Sequence, residues 1–244
     1  MSKKKKRLDL VLQERLSKLS RNQIASFIIQ GKVKIDGQPV TKPGILIDED
    51  TPIDCDMEKP KFVCRAGFKL EQALDEFNID VTDFVVMDAG LSTGGFTDCL
   101  LQRGAKKVYG VDVGYGQVHE NIRVDERVVV MERVNLRHLD ALPELVDLVT
   151  LDLSFISVLK VMSVVTSLLK PQGKLVVLIK PQFEAERSQV GRGGIIKDPK
   201  VHQQVTDLVV AGIKEFGFEL QGVTDSPITG THGNKEFLAY FVKS

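Results

Sequence analysis

The chain has 244 residues, 43% of them hydrophobic and 27% charged, with no net charge at neutral pH. That length admits one large domain or a large one with a small companion, and no stretch reaches the roughly 18 unbroken apolar residues of a membrane span. The three cysteines, Cys55, Cys64 and Cys99, lack C-x-x-C spacing, which argues against a disulfide framework and a zinc site and suits a reducing cytoplasm.

The zero balance hides a split. Residues 1–42 carry 11 lysines and arginines against 3 acids, and the remainder 22 against 30. The leading lysines have no apolar signal-peptide core behind them. A basic module on a mildly acidic body predicts a polyanion partner for the module alone, whereas Lys3 to Arg7 by themselves read as a solvated tail. "RLDLVLQERL" puts Leu8, Val11, Leu12 and Leu16 on one helical face. A second helix runs from Ser20 as N-cap to Gly31 as stop. "KVKIDGQPV" alternates into an Asp36-Gly37 turn, and "ILIDEDTPIDC" adds a short strand. Arg7, Lys18, Arg21, Lys32 and Lys34 are the residues expected to hold phosphates. The spacing "RLD…L…R…S…SR…I…G.V.ID" resembles the small RNA-binding domain named after ribosomal small-subunit protein four. It implies RNA binding for about a fifth of the chain, here taken as residues 1–58, and says nothing about chemistry.

Residues 59–66 read as a linker, and residues 67–244 as one α/β domain opening with the helix "FKLEQALDEFNI". Candidate strands follow at 84–88, 107–112, 127–131, 148–152 and 174–180, with helical patterns near 95–103, 155–169 and 198–216. Near-continuous apolar strands alternating with helices predict a mainly parallel, doubly wound sheet. Two further alternating segments, 218–225 and 236–242, are expected to form an antiparallel hairpin at one edge.

The first strand runs into "DAGLSTGGF", residues 88–96. A P-loop needs G-x-x-x-x-G-K-[ST], but no lysine follows here until Lys106. A dinucleotide fingerprint needs G-x-G-x-x-G, and the spacing here is G-x-x-x-G-G. S-adenosylmethionine fits instead. Asp88 can meet its ammonium, Gly90 lets the backbone pass close, and the amides of Ser92, Thr93, Gly94, Gly95 and Phe96 open a helix toward its carboxylate. Asp112, with Val113 beside it, ends the second strand 24 residues after Asp88. It can take the ribose hydroxyls as the equivalent acid does at about 20 residues in dinucleotide folds.

The chain lacks the Asn/Asp-Pro-Pro-aromatic signature of adenine-amino methylation and the Pro-Cys of pyrimidine carbon-5 chemistry. Its fourth strand ends in Asp152 and its fifth in Lys180, an unusual residue for a buried strand. Lys69 precedes the core, and an antiparallel last strand would bring Glu236 to the same edge. Such a set suits a ribose 2′-hydroxyl, which loses a proton as it gains a methyl. A lysine takes that proton when burial and a neighbouring cation lower its pKa. We therefore read Lys180 as the base, Lys69 as the neighbouring cation, and Asp152 and Glu236 as orienting groups.

"RAGFKL", "DAGLSTGGF", "GVDVGYGQ", "LDLSFIS", "IKPQFE", "VGRGGIIKD" and "GNKEF" occur in the order and spacing of the TlyA family, which the whole chain resembles. The resemblance implies a Rossmann-like class I methyltransferase of the FtsJ type, with a mainly parallel seven-stranded sheet and a small N-terminal α+β RNA-binding domain. It implies a cytoplasmic enzyme that uses S-adenosylmethionine to methylate the 2′-hydroxyl of a cytidine in ribosomal RNA, with ribosomal RNA or subunits as partner and no metal. It assigns the catalytic set to Lys69, Asp152, Lys180 and Glu236. Leu91 departs from the family pattern, where a smaller residue is common.

The loop "ERSQVGRGGIIKDP", 186–199, reads as a mobile lid whose Arg187 and Arg192 contact RNA phosphates. Tyr115 is placed to flank the adenine, and the four histidines lack ligand spacing. Two other readings compete: an RNA-binding assembly protein with an inactive methyltransferase fold, and the membrane-lysing hemolysin of the family's older name. The intact acids and lysines argue against the first. The absence of an apolar span argues against the second. The nucleotide, the ribosomal subunit and the oligomeric state stay open.

Overall fold

The computed structural model describes residues 5–17, 19–55, 60–230 and 233–244. Lys18, named above for RNA contact, lies outside the described residues, as do His232 and residues 56–59 at the junction of the expected domain and linker. The chain divides into two units, Met1–Lys61 and Phe62–Ser244.

In the smaller unit, helices α1 (Leu8–Arg15) and α2 (Arg21–Ile29) bury the predicted stripe. Leu8, Val11 and Leu12 meet Ile24, Phe27 and Ile28 in a core closed by Val33 and Ile47. Ser20 caps α2 through a reciprocal capping box with Gln23, which satisfies two otherwise unpaired amides. The end of the lysine run is not a free tail. Lys5–Arg7 forms strand β1, paired antiparallel with β4 (Leu46–Asp48). Strand β2 (Val33–Ile35) lies between β3 (Gln38–Pro39) and β5 (Asp54–Cys55). Asp36 and Gly37 both take positive φ at the turn, as a tight type I′ hairpin requires.

The larger unit opens with α3 (Gly67–Glu76) and then alternates. Its elements are β6 (Val85–Ala89), α4 (Gly95–Gln102), β7 (Lys107–Val111), α5 (Glu120–Arg123), β8 (Val128–Met131), β9 (Val146–Leu151), α6 (Met162–Leu168), β10 (Leu169–Ile179), α7 (Pro181–Glu184), α8 (Pro199–Lys214), β11 (Phe218–Asp225) and β12 (Phe237–Lys243). The seven strands order as β11-β12-β10-β9-β6-β7-β8. Pairing from β10 through β9, β6 and β7 to β8 is parallel, and β12 runs antiparallel to β10 and β11. The expected hairpin is therefore present, with β11 at the edge.

Side-chain alternation puts a core on each face of the sheet. Val85, Met87 and Ala89 pack with Met162, Val165, Val209 and Ile213 from α6 and α8. Val86 packs with Leu70, Leu74 and Leu100 from α3 and α4. Phe62 joins that second core, and the Val63 amide donates to Asp98 at 2.7 Å. Residues 62–66, expected as linker, thus belong to the larger unit. Strand β6 sits where the order reverses, so the crevice beyond the carboxyl ends of β6 and its neighbours is where such sheets bind ligands.

The helix expected over 155–169 starts at Met162. Phe155 takes φ 66°, and a 3-10 turn over Val158–Val161, capped by Ser157, fills the interval. The stretch between β7 and β8 contains the short helix α5.

Candidate functional site

The glycine loop is shaped by close contacts with its neighbours. Gly90 has φ 90°, and a Cβ there would collide with the Asp152 backbone carbonyl. The amides of Gly90 and Leu91 both donate to the Val111 carbonyl, at 2.9 and 3.2 Å, folding the loop over β7. Gly94 is the left-handed N-cap of α4, and a Cβ on Gly95 would meet Cys64 and the Gly67 amide. These glycines let α4 start against the entry of α3. Phe96 is buried in the core, and the Thr93 carbonyl accepts from the His119 amide at 3.2 Å. Of the loop residues expected at the cofactor, Gly90 and Ser92 line the pocket, while Thr93, Gly94, Gly95 and Phe96 support it from behind.

Asp88 also departs from expectation. It is wholly buried beneath the loop, accepting from the Thr97 hydroxyl at 2.7 Å and the Thr150 hydroxyl at 2.9 Å. Both carboxylate oxygens are engaged inside the protein, so Asp88 ties β6, β9 and α4 together and does not face a ligand's ammonium. Burial pushes its carboxyl up to about 6, partly offset by the two hydroxyls. The raised folded value means that the stability contributed by protonated Asp88 is fully present below about pH 4 and lost as pH rises through 6. Asp88→Asn cannot ionise and can still bond both threonines. Its melting temperature relative to the parent should therefore rise between about pH 4 and about pH 7. A pH-independent difference in thermal melts would refute this account of Asp88.

Beyond the strand ends lies a cavity of about 490 Å³, lined by Gly90, Ser92, Val111, Asp112, Val113 and Gly114 on one side. Val134, Asn135 and Leu136 form a second wall, and Asp152 to Ile156 with Val161 form a third. The size suits a nucleoside-sized ligand. Asp112 accepts from the amides of Ser92 at 2.7 Å and Gly114 at 2.6 Å. Each carboxylate oxygen keeps lone pairs facing the cavity, which fits an adenosine ribose between apolar walls. Asp112→Asn should weaken S-adenosylhomocysteine binding by about tenfold to a hundredfold, the loss expected for charge-assisted hydrogen bonds. Titration calorimetry that finds the affinity unchanged would remove Asp112 from the cofactor site.

Sheet register brings three of the four expected catalytic residues together, and the helix α3 supplies the fourth. Ile179 pairs with Phe237 at the end of the β10–β12 ladder, so Lys180 and Glu236 are the next residues outward on adjacent strands. Asp152 follows the last residue of β9, which β10 flanks in parallel. Lys180 Nζ sits 2.5 Å from Asp152 Oδ1 and donates to Ser154 Oγ at 3.0 Å. Lys69, on α3, reaches Glu236 Oε2 at 2.5 Å, with side chains only 8% and 2% exposed. The set therefore arrives as two ion pairs. Lys69 is matched by a buried carboxylate and does not stand as a bare cation beside Lys180, which corrects the role given to it above.

The 186–199 segment, expected as a mobile lid, is structured and tied to neighbouring elements. It holds two 3-10 turns, Arg187–Gln189 and Arg192–Gly194. Buried Asn234 bonds the Ile196 amide and the Gly194 carbonyl at 3.1 and 2.9 Å, and His202 meets the Ile196 carbonyl at 3.1 Å. Arg187 and Arg192 stay exposed. Tyr115 lies outside the pocket lining and carries the Arg133 guanidinium 4.1 Å over its ring. In the smaller unit, Arg7 and Arg21 both bind Asp9. Lys32 sits 5.9 Å from the Phe27 ring centroid, and Lys34 is exposed on β2. Sequence reasoning missed Asn135, Ser154 and Phe155. Phe155 is 90% exposed at the cavity mouth, 5.0 Å from the Phe183 ring. A positive-φ aromatic has no sequence signature, although the "LDLSFIS" run held it in view.

Among the described residues no group of three histidines, cysteines or acids is placed to hold a metal, and no helix is long and apolar enough to cross a membrane. The family model for FtsJ-like methyltransferases matches residues 62–243, and that for the S4 domain matches residues 6–53. YqxC of Bacillus subtilis, named as a candidate rRNA methyltransferase, is 44% identical over 98% of this chain and 86% of its own. TlyA of Mycobacterium tuberculosis, a 16S/23S rRNA (cytidine-2′-O)-methyltransferase, is 41% identical over 96% of this chain and 88% of its own. A protein of Streptococcus thermophilus whose solved structure carries the name hemolysin is 40% identical, with a TM-score of 0.77 over 100% of this chain and 90% of that one.

Proposed function

The chain belongs to the FtsJ-like methyltransferase family, in its TlyA branch, and is an S-adenosylmethionine-dependent methyltransferase; from that premise we propose that it methylates the 2′-hydroxyl of a cytidine in ribosomal RNA. The observation that carries the acceptor is Lys180. Its amine is held by Asp152 and Ser154, two residues that line the cofactor cavity. An amine at that rim suits a hydroxyl acceptor, which needs a partner for its proton.

When bound, the cofactor supplies an electrophilic methyl on a positively charged sulfur, with a neutral thioether as leaving group. Asp112 and Ser92 would hold its ribose end, with Val113 and the Asn135–Leu136 turn lining the same cavity. Once its ammonium has given up a proton to solvent, the Lys180 amine accepts a hydrogen bond from the 2′-hydroxyl and takes that proton as the carbon–oxygen bond forms. Asp152 and Ser154 fix the direction of that amine. Phe155 offers an exposed ring to the target base, a common way of holding an unstacked nucleotide. The S4 unit, with Arg7, Arg21, Lys32 and Lys34, grips RNA phosphates, and Arg187 and Arg192 add contacts from the larger unit. Ribosomal RNA as substrate places the protein in the cytoplasm.

Incubating ribosomal subunits from a strain lacking this gene with the enzyme and methyl-labelled cofactor tests the reading. Label should appear as 2′-O-methylcytidine in nuclease digests. Label on a base, or none on RNA, would overturn it.

A further inference from the structure

We propose that Asp9 is a positioning residue for RNA binding, joining Arg7 and Arg21 into one preorganised fork that grips backbone phosphate. The proposal rests on the reading of the smaller unit as RNA-binding and adds how its arginines are held.

Three element ends meet here. Arg7 precedes α1, Asp9 lies in its first turn, and Arg21 opens α2. Arg7 bonds both Asp9 oxygens, through Nε and one terminal nitrogen, each at 2.9 Å. Arg21 adds Nε at 3.1 Å and a terminal nitrogen at 2.9 Å, both on Oδ2. A guanidinium has five N–H donors, so these bonds leave further donors on each arginine.

Burial is asymmetric. The Asp9 side chain is 3% exposed, while those of Arg7 and Arg21 are 46% and 48% exposed. Gly44 runs beneath the Arg7 guanidinium, where a Cβ would stand 3.4 Å from it. Hydrogen bonds from Arg7, then Arg21, pull the Asp9 carboxyl down to about 2, so it is ionised wherever RNA is bound.

A carboxylate on a surface meant for phosphate is an electrostatic liability, since it cancels one of two cations. A staple between helices alone is better made of apolar side chains, because burying a charge is costly even when it is paired. What the carboxylate does provide is order. A free arginine must freeze a long side chain to bind phosphate, and here two half-exposed arginines are held in advance on one carboxylate with donors to spare.

The test turns on the sign of one change. Asp9→Asn raises the net charge of the module by one, so a merely electrostatic patch should bind RNA more tightly. A positioning role predicts the reverse. In the full-length protein, ribosomal RNA affinity should fall about tenfold, and the slope of log affinity against log salt should shrink by about 1 to 2. Arg7→Ala or Arg21→Ala should then cost little more when combined with Asp9→Asn than Asp9→Asn costs alone, as members of one unit do. S-adenosylhomocysteine binding and circular dichroism serve as controls on folding. The double variant Arg7→Lys with Arg21→Lys keeps every charge but cannot form the fork, and it should also bind about tenfold more weakly. That variant carries the test alone if Asp9→Asn fails to fold. Unchanged or tighter binding by either folded variant overturns the role of Asp9 while leaving RNA binding intact. Parent protein with no salt-dependent RNA affinity overturns the RNA-binding reading, and this inference with it.

Discussion

Replacing Lys180 by alanine should lower methyl transfer by about 10²- to 10⁴-fold, the range for loss of a general base, with cofactor affinity and folding retained. The Asp152 carboxylate left behind borders the cavity, so water can solvate it and the fold need not fail. Alanine removes position and proton transfer together, and Lys180→Arg separates them. Arginine keeps a cation beside Asp152 and can still bond the 2′-oxygen, but it cannot deprotonate in a protein. The arginine variant should therefore lose turnover about as fully as alanine while its KM for RNA stays closer to the parent. Single-turnover methylation of ribosomal subunits measures the chemical step directly. If Lys180→Arg keeps turnover within tenfold of the parent, Lys180 only orients substrate, and proton transfer must be assigned elsewhere.

Sequence made the frame of this site legible because the frame depends on strand periodicity and chain order. Apolar runs alternating with helices located β6, β7, β9 and β10. The unaccompanied alternating pair at the C-terminus foretold an antiparallel last strand. From those two facts Glu236 could be placed beside Lys180, where the Ile179–Phe237 pairing puts it. Which partner each charge would choose was not legible. Lys69 and Glu236 are 167 residues apart, and only the packing of α3 against the sheet decides that they meet. Asp88 shows the same limit, since Thr97 and Thr150 come from a helix and a neighbouring strand. An acid in a glycine-rich turn looks identical in sequence whether it faces a ligand or the core. The tie on the 186–199 segment was hidden for a related reason. Glycines imply freedom, but Asn234, forty residues away, bonds the Gly194 carbonyl.

The second large effect concerns the Lys69–Glu236 pair and should appear first as lost stability. Glu236→Ala leaves an ammonium in a site where Lys69 is 6% exposed, and breaking one side of a buried pair costs about 3–5 kcal/mol. For a unit of this size that lowers the melting temperature by about 6–20 °C. Lys69→Met alone should cost a similar amount, because Glu236 is then the orphan. Replacing both residues, Lys69→Met with Glu236→Leu, leaves no unpaired charge and should recover most of the loss, since an apolar pair of similar volume often matches a buried ion pair. Gly230 supports the same geometry: a Cβ there would strike the Glu236 carboxylate, so that carboxylate fills its niche with no room to turn away. The double variant then divides structure from chemistry. If it melts near the parent and still fails to methylate RNA while binding cofactor, Lys69 or Glu236 acts on substrate directly. If it melts near the parent and methylates normally, the pair is a clamp holding α3 to the first residue before β12, and the chemistry belongs to Lys180 and Asp152 alone. The pair nevertheless stands at the strand ends beside Lys180, where the Ile179–Phe237 pairing puts Glu236. The folded double variant should accordingly lose turnover while keeping its affinity for cofactor.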